Sequence, residues 1–369
     1  MFKSAIIFIA SIFLILGTVS ADAAPKKPVK KPHSDKVAKA RTVATRAKKT
    51  VSSSRKARAS VATHQKPVSN IAARNGRHRV SYIRPRVVAI PVVPAVISAG
   101  ELAGLNLTQD SLALKSNVAY VIDQASSKVL FEKNSQVALP IASVTKLMTA
   151  LVVVEAHMNM QEVLTVTEDD VDNVKHSSSR LRVGSQLSRD DMLHIALMSS
   201  ENRAASALGH NYPGGLPAFV SAMNLKARSL GMVETHYVDS TGLSSLNVAS
   251  ARDLARLAIY AYQYPLIRQY STDAKYMVEP SGHSLQYASS NRLVASKDWD
   301  IELQKTGYIN EAGHCLVMLT RIEGRSVVMV FLDSKGKLSH VADAARMRKY
   351  ISEQGPKNLT RGRMKDDQG

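Results

Sequence analysis

A serine and a lysine three residues apart open an apolar run in the stretch "LPIASVTKLMTALVVV", residues 139–154. If this run is a helix that begins near Ser143, the spacing places Ser143 and Lys146 side by side on one helix face. A helix N-terminus favours negative charge, so it stabilises a serine that loses its proton. A desolvated lysine near another cation can lose its own proton near neutral pH. The pair therefore has the chemistry of a nucleophile and its general base.

Two further short motifs carry polar groups that could serve such a nucleophile. Ser200 and Asn202 lie in "MSSEN", where one predicted helix ends and another begins, so a hydroxyl and an amide are expected on one wall of a cleft. Lys305, Thr306 and Gly307 form the only Lys-Thr-Gly triplet of the chain, and the pattern predicts that they end a strand. A lysine and a hydroxyl at a strand edge can bind a carboxylate, and a glycine lets a ligand lie close to the strand.

Each motif is weak by itself, because the same spacings recur elsewhere. Ser-x-x-Lys recurs at residues 53–56 and 334–337, and Ser-x-Asn recurs at residues 245–247 and 289–291. Neither of the other Ser-x-x-Lys pairs opens an apolar helix. Taken together and in this order, Ser-x-x-Lys, Ser-x-Asn and Lys-Thr-Gly are the signature of active-serine enzymes that form a covalent penicilloyl adduct.

The elements around the motifs predict how they are positioned. The strand-like runs "VAYVID" and "KVLFEK" flank a turn at "QASS", and three more strand-like runs, "DIELQKTG", "HCLVMLTR" and "SVVMVFLD", come late in the chain. Between them lie helical segments with capping-box spacing at residues 188–191 and 250–253. A last helix is predicted over residues 339–351. Strands at both ends and helices in the middle predict an α+β fold, in which one antiparallel sheet is completed by both ends of the body.

The charge of the chain is concentrated near its N-terminus. The formal net charge is +19, and residues 25–90 alone hold 19 Lys and Arg against one acid, Asp35. Dense like charge without a hydrophobic period cannot bury enough surface to fold, so we expect a disordered basic arm. The arm is either a solvated tether or a contact with an anionic surface, such as wall polymer or lipid headgroups.

The first residues read as an export signal. Lys3 precedes an apolar segment over residues 5–16, and Ala21-Asp22-Ala23 fits a cleavage site. We therefore expect a signal peptide over residues 1–23, a basic arm and Pro-containing lead-in over 24–100, a folded body over 101–355 and a tail over 356–369. The single cysteine, Cys315, allows no intramolecular disulfide, and its apolar surroundings predict a packed core thiol.

Four stretches carry a closer resemblance. The segments "LPIASVTKLMTALVV", "LMSSENRAASALGHNYPGG", "STGLS" and "KTGYINEAGHCLVM" resemble the D-alanyl-D-alanine endopeptidases among the low-molecular-mass penicillin-binding proteins. The resemblance covers about residues 105–355 and not the basic arm. It implies a β-lactamase/transpeptidase-like fold with a helical subdomain, a DD-peptidase domain, the periplasm, and hydrolysis of D-alanyl cross-links in peptidoglycan. The implied partners are peptidoglycan stem peptides and β-lactam antibiotics.

The resemblance also implies catalytic roles. Ser143 would attack the carbonyl of a D-alanyl peptide bond and form an acyl-enzyme, while Lys146 accepts its proton. Ser200, with Asn202 near Lys146, would relay a proton to the leaving amine. Water would then release the acyl group.

Substrate binding is implied for the strand that carries the triplet. Lys305 and Thr306 would anchor the substrate carboxylate beside Gly307. The backbone N–H groups of Ser143 and Tyr308 would form the oxyanion hole, worth roughly 3–4 kcal/mol for each donor in comparable sites. We expect no metal, no cofactor and no nucleic-acid partner, and we expect a monomer.

Several other functions remain open at the level of sequence. A D-Ala-D-Ala carboxypeptidase would use the same motifs to trim stem pentapeptides, although the short, polar C-terminus favours the endopeptidase over relatives with an anchor helix. A serine β-lactamase shares the motifs, but residues 202–305 hold no Glu-x-x-Leu-Asn pattern that would supply a deacylating base. A non-catalytic wall-binding protein would not need Lys146, and a metallopeptidase is disfavoured because the chain has no His-Glu-x-x-His.

Overall fold

The computed structural model describes residues 97–366, with side chains as far as residue 353. The predicted signal peptide (1–23), the predicted arm and lead-in as far as residue 96, and the side chains after residue 353 lie outside the described residues. Within the described part, no helix is both long enough and apolar enough to cross a membrane.

Helices and strands are numbered here in chain order. The helices are α1 (Ala99–Leu102), α2 (Thr145–Glu155), α3 (Arg189–Met198), α4 (Asn202–His210), α5 (Gly215–Ser229), α6 (Ala251–Ala261), α7 (Pro265–Thr272) and α8 (Ser339–Asp366). The strands are β1 (Ser116–Asp123), β2 (Val129–Lys133), β3 (Leu139–Pro140), β4 (Val163–Thr165), β5 (Gln186–Ser188), β6 (Val248–Ala249), β7 (Lys275–Val278), β8 (Leu285–Ala288), β9 (Asp300–Ile309), β10 (Gly313–Ile322) and β11 (Arg325–Ser334).

A five-stranded antiparallel sheet in the order β2-β1-β11-β10-β9 is the frame of the molecule. The early strand β1 pairs with the late strand β11, with Val121 opposite Met329, so both ends of the folded body complete one sheet. This confirms the predicted α+β fold. Strand β9 lies at the edge of the sheet, which leaves one of its sides free for a ligand.

Both faces of the sheet are covered, which explains why its late strands read as nearly continuous apolar runs. On β11, Val330 packs in the core on the side of α2 and α6. Its neighbour Phe331 packs on the opposite side, where α8 contributes Met347 and Ile351. Each fully buried side chain of this kind contributes roughly 1.5–3 kcal/mol to the free energy of unfolding.

Helix α2 is buried on all sides. Its residues 145–153 are all buried, as expected for a helix that is apolar around its whole circumference. Ser143 lies just before the helix, in the 3-10 turn Ala142–Val144, and so α2 begins two residues later than Ser143 itself. A helix packed on every side holds its first turn rigidly, which fixes Ser143 and Lys146 relative to the sheet.

The sequence also predicted where several other helices and strands begin or end. Two of these predictions are confirmed and two are wrong. Ser188 and Ser250 cap α3 and α6 through their side chains, as their spacing predicts. The Lys-Thr-Gly triplet does not end its strand, because β9 continues to Ile309 and pairs with β10 throughout. The last helix does not stop at Ile351 either, and α8 runs on to Asp366 through the predicted tail.

Candidate active site

The ammonium group of Lys146 is the centre of the candidate site. Its Nζ lies 2.8 Å from Ser143 Oγ, 2.7 Å from Asn202 Oδ1 and 2.7 Å from the carbonyl oxygen of Thr241. Lys146 is 1% exposed. Two of the predicted motifs thus meet at one nitrogen, together with a carbonyl from a loop to which no role was assigned from sequence.

Burial lowers the pKa of Lys146 to about 7, although Asp239, Glu201 and Asp172 act in the opposite direction. A neutral lysine keeps two N–H donors and gains one lone pair. Asn202 Oδ1 and the Thr241 carbonyl can only accept, so they take the two N–H bonds. The lone pair is then left for the Ser143 hydroxyl, which is the arrangement that a general base requires.

A second buried lysine lies beyond the first. Lys305 is fully buried, and its Nζ lies 2.9 Å from Ser200 Oγ and 2.8 Å from the carbonyl oxygen of Thr306. Burial, together with the nearby charge of Lys146, holds the pKa of Lys305 well below its usual range. An incoming carboxylate would reverse this shift, because an opposite charge favours the protonated lysine.

Ser200 sits in a strained backbone conformation. Its φ of 66° lies in the left-handed region, which costs a residue with a side chain of order 1–3 kcal/mol. The position lies in the short connection between α3 and α4. Strain of this kind persists only where the surroundings enforce it, and here it directs the hydroxyl at Lys305.

Asn202, the first residue of α4, has a fixed amide orientation. Its Oδ1 accepts from Lys146, and its Nδ2 donates to Ser177 Oγ over 2.9 Å. Lys146 has an N–H to donate in both its charged and its neutral form, and the amide oxygen is the acceptor that faces it. Asn202 therefore connects Lys146 to the segment around Ser177.

The glycine of the triplet is required by close packing. A Cβ on Gly307 would lie 2.8 Å from the carbonyl oxygen of Ile141 and 3.1 Å from the backbone nitrogen of Ser143. Edge strand β9 can approach the nucleophile this closely only without a side chain. Beside it, Thr306 Oγ1 lies 2.6 Å from Ser290 Oγ, a hydroxyl that the sequence analysis did not assign to the site.

The Thr241 carbonyl is positioned by a tightly turned loop. Asp239 Oδ1 accepts from the backbone N–H groups of Thr241 and Gly242, each over 2.6 Å. Gly242 has a φ of 82°, and a Cβ there would lie 1.9 Å from the carbonyl oxygen of Ala142. The stretch "STGLS" is the sequence signal for this loop, but nothing local in it indicates which carbonyl meets Lys146.

These groups line one cavity of about 350 Å³. Six of the eight residues proposed from sequence line the cavity, and the other two, Lys146 and Lys305, are buried. The lining residues are Ser143, Ser200, Asn202, Ser290, Arg292, Thr306, Gly307, Tyr308, His314, Lys337, Leu338, His340 and Val341. None of these lining residues is an aspartate or glutamate.

Of the two alternative Ser-x-x-Lys pairs, the one at residues 53–56 lies outside the described residues, and the one at residues 334–337 shows no hydrogen bond between its serine and its lysine there. Ser334 donates to Ser339 Oγ over 2.7 Å, and no contact with Lys337 is made in the described chain. Cys315 is buried, and burial raises the pKa of its thiol to about 12, which agrees with a core role. Among the side chains described, those of residues 97–353, no cluster of three or more potential metal ligands occurs.

Comparisons with known proteins identify a matching family and similar sequences. Residues 106–336 match the family described as D-alanyl-D-alanine carboxypeptidase. The chain is 47% identical to a D-alanyl-D-alanine endopeptidase of Pseudomonas aeruginosa, over 74% of this chain and 89% of the relative. It is 45% identical to a D-alanyl-D-alanine endopeptidase of Escherichia coli, over 72% and 85%.

Solved structures show the same likeness. The crystal structure of the Streptomyces K15 DD-transpeptidase superposes with a TM-score of 0.61 at 25% identity, covering 66% of this chain and 98% of that one. Penicillin-binding protein D2 from Listeria monocytogenes, in its cefotaxime-bound form, superposes with a TM-score of 0.58 at 26% identity, covering 66% and 99%. The β-lactamase/transpeptidase-like fold expected from sequence is confirmed.

Proposed function

The chain belongs to the D-alanyl-D-alanine carboxypeptidase family, and we propose that within it the protein is a serine DD-endopeptidase that hydrolyses D-alanyl cross-links in peptidoglycan. The single observation that carries the chemistry is the contact of a fully buried lysine, Lys146, with the hydroxyl of Ser143. The two endopeptidases with 47% and 45% identity support the choice of bond.

Acylation follows from the contacts of the two lysines. Neutral Lys146 removes the proton of Ser143 as its oxygen attacks the D-alanyl carbonyl. Backbone N–H groups of Ser143 and Tyr308 are proposed to stabilise the oxyanion that forms. Ser200, which contacts Lys305, relays the proton taken up by Lys146 to the leaving amine. The C–N bond breaks to leave an ester on Ser143, and Lys146 returns to its neutral form.

Lys305 and Thr306 are proposed to bind the carboxylate of the leaving residue. Lys305 is protonated when a carboxylate lies beside it, and the Thr306 hydroxyl adds a second donor. This places the carboxylate on edge strand β9, close to the nucleophile because Gly307 has no side chain. Such positioning turns the attack of Ser143 into an intramolecular step.

The same site explains inhibition by β-lactams. After peptide cleavage the leaving peptide departs, so water can enter and use Lys146 as its base. In an opened β-lactam the leaving amine stays tethered to the acyl group and blocks that path. The lining residues of the cavity include no carboxylate that could activate water from another direction, so we expect a long-lived adduct and not β-lactamase turnover.

The preferred bond can be tested directly. Given cross-linked muropeptide dimer and pentapeptide monomer at equal concentration, we expect dimer to be converted to monomers faster than free D-alanine is released. Product identification by chromatography and mass spectrometry measures both rates. Dominant release of free D-alanine with the dimer intact would assign a carboxypeptidase and leave the roles of Ser143 and Lys305 in place.

We further propose that the protein acts in the periplasm and that its basic arm, residues 25–90, binds an anionic wall or membrane surface. The 19 cations of this segment support such a contact. The periplasm is where the cross-links of peptidoglycan lie, and the sequence signal over residues 1–23 agrees with export.

Deleting residues 25–90 should separate binding to the wall from catalysis. Hydrolysis of small soluble substrates should stay the same, and retention on insoluble wall or anionic lipid should fall. Retention of the full-length chain should weaken as salt rises, because exposed charges are screened over about 8 Å at physiological ionic strength. Retention that does not respond to salt would instead indicate a hydrophobic anchor.

A further inference from the structure

A second cavity, of about 540 Å³, adjoins the catalytic cavity at the end of the sheet. Tyr308, His314 and Lys337 line both cavities. The cleft therefore continues past Tyr308, away from Ser143. A single D-alanine leaving group would not fill so much space.

A leaving peptide longer than one residue would extend from the catalytic cavity toward the second cavity. Ser143 marks the position of the reacting carbonyl, and Thr306 marks the proposed carboxylate site. Side chains two residues apart on a strand share one face, so Thr306 and Tyr308 lie on the same side of β9. A longer leaving peptide that is anchored at Thr306 and follows this face reaches Tyr308 and then the second cavity.

The passage between the cavities has a rigid aromatic wall. Tyr308 is 55% exposed, yet its ring stacks on His314 with centroids 4.3 Å apart, and its hydroxyl donates to Asn310 Oδ1 over 3.0 Å. His314 in turn stacks on His340 at 5.3 Å. Burial lowers the pKa of both histidines, so this wall is uncharged near neutral pH. A fixed flat surface of this kind suits a peptide chain that passes over it.

The side chain of Lys337 places a positive charge where the two cavities meet. Lys337 is exposed, lines both cavities and makes no side-chain hydrogen bond or ion pair within the described part of the chain. Lys335, two residues earlier, differs because its Nζ is paired with Glu101 over 2.7 Å. The charge of Lys337 contributes to the lowered pKa of His314, which places the ammonium group near the aromatic wall.

Building on the proposed endopeptidase function, we propose that the second cavity is the binding subsite for the second stem peptide of a cross-link, and that Lys337 binds a free carboxylate of that peptide. In the cleavage of a cross-link the leaving group is a whole anionic peptide, which can reach the junction. The leaving D-alanine of a pentapeptide ends at Thr306 and gains nothing there. The subsite would therefore favour cross-links over pentapeptide ends.

The test uses two purified cross-linked dimers that both keep the leaving residue's own carboxylate, which Lys305 and Thr306 are proposed to bind. The other carboxylates of the second stem peptide are free in one dimer and amidated in the other. For the unaltered enzyme we expect kcat/KM to be about tenfold higher for the free carboxylates, as expected for one charge-assisted hydrogen bond. Lys337→Gln should reduce this ratio to about one, with the loss appearing mainly as a higher KM because the contact is made to a part of the substrate that does not react.

Lys297→Gln is the matched control, because Lys297 is an exposed lysine that lines neither cavity. It should keep the tenfold ratio. A ratio that is unchanged in Lys337→Gln, or already near one in the unaltered enzyme, would overturn the subsite and leave the endopeptidase assignment intact. Release of D-alanine from pentapeptide with both dimers uncut would instead overturn the proposed function, and the subsite with it.

Discussion

Ser143→Ala should abolish both covalent labelling by a fluorescent penicillin and cleavage of D-alanyl peptide bonds. The acyl group can form only on an oxygen that lies beside a base, and Ser143 Oγ is the hydroxyl 2.8 Å from Lys146. Loss of a nucleophile removes the covalent route entirely, and in comparable serine hydrolases it costs on the order of 10⁶ in kcat. Labelling is read on a gel, and hydrolysis is read from the products of cross-linked dimer.

The control for this variant is Ser53→Ala, since Ser53 and Lys56 share the Ser-x-x-Lys spacing but lie in the basic arm. That variant should keep both labelling and hydrolysis. A penicilloyl adduct on the Ser143→Ala enzyme would show that another residue is the nucleophile. Circular dichroism on both variants checks that each is folded.

Lys146→Gln should lower the rate of acylation by about 10³-fold, the usual size of a general-base contribution. Glutamine can still donate to Asn202 Oδ1 and the Thr241 carbonyl, so the variant removes the basic lone pair while keeping donors for both acceptors. The measurement is the rate of acylation by a penicillin under single-turnover conditions. Lys128→Gln, which removes an exposed lysine, should leave this rate unchanged.

The pH dependence of the acylation rate tests the proposed role of Lys146 as the base in a second, independent way. Only neutral Lys146 is a base, and its pKa is lowered to about 7. The acylation rate of the unaltered enzyme should therefore be nearly level above pH 7 and fall about tenfold for each pH unit below it. This descending limb should be missing in Lys146→Gln. A limb of the same shape in the variant would assign the titrating base to another group.

The different surroundings of the two buried lysines favour different protonation states. Lys146 and Lys305 are both buried and lie close enough for one charge to lower the pKa of the other. Lys146 meets two fixed acceptors and a hydroxyl, which suits its neutral form. Lys305 contacts Ser200 and lies at the proposed carboxylate site, where the substrate would bring a negative charge. Substrate binding thus favours a charged Lys305 and a neutral Lys146.

The sequence by itself determined the frame of the molecule and predicted the chemistry of the proposed site. A nucleophile, a base, a polar relay and a carboxylate anchor need particular residue types, so Ser143, Lys146, Ser200 and the triplet at 305–307 stand out in the chain. Capping at Ser188 is equally local, because its side chain bonds a backbone group only three residues away. The apolar strand runs at both ends of the body predicted a single sheet.

Only the tertiary structure decided how these groups act on one another. The contact of Lys146 with the Thr241 carbonyl joins residues 95 positions apart, and it depends on Gly242 passing against Ala142. Ser290 meets Thr306 from a loop that the sequence motifs did not assign to the site. Such contacts follow from how helices pack on the sheet, and no spacing along the chain records them. The lowered pKa of Lys146 has the same origin, because it arises from burial, which only the assembled fold produces.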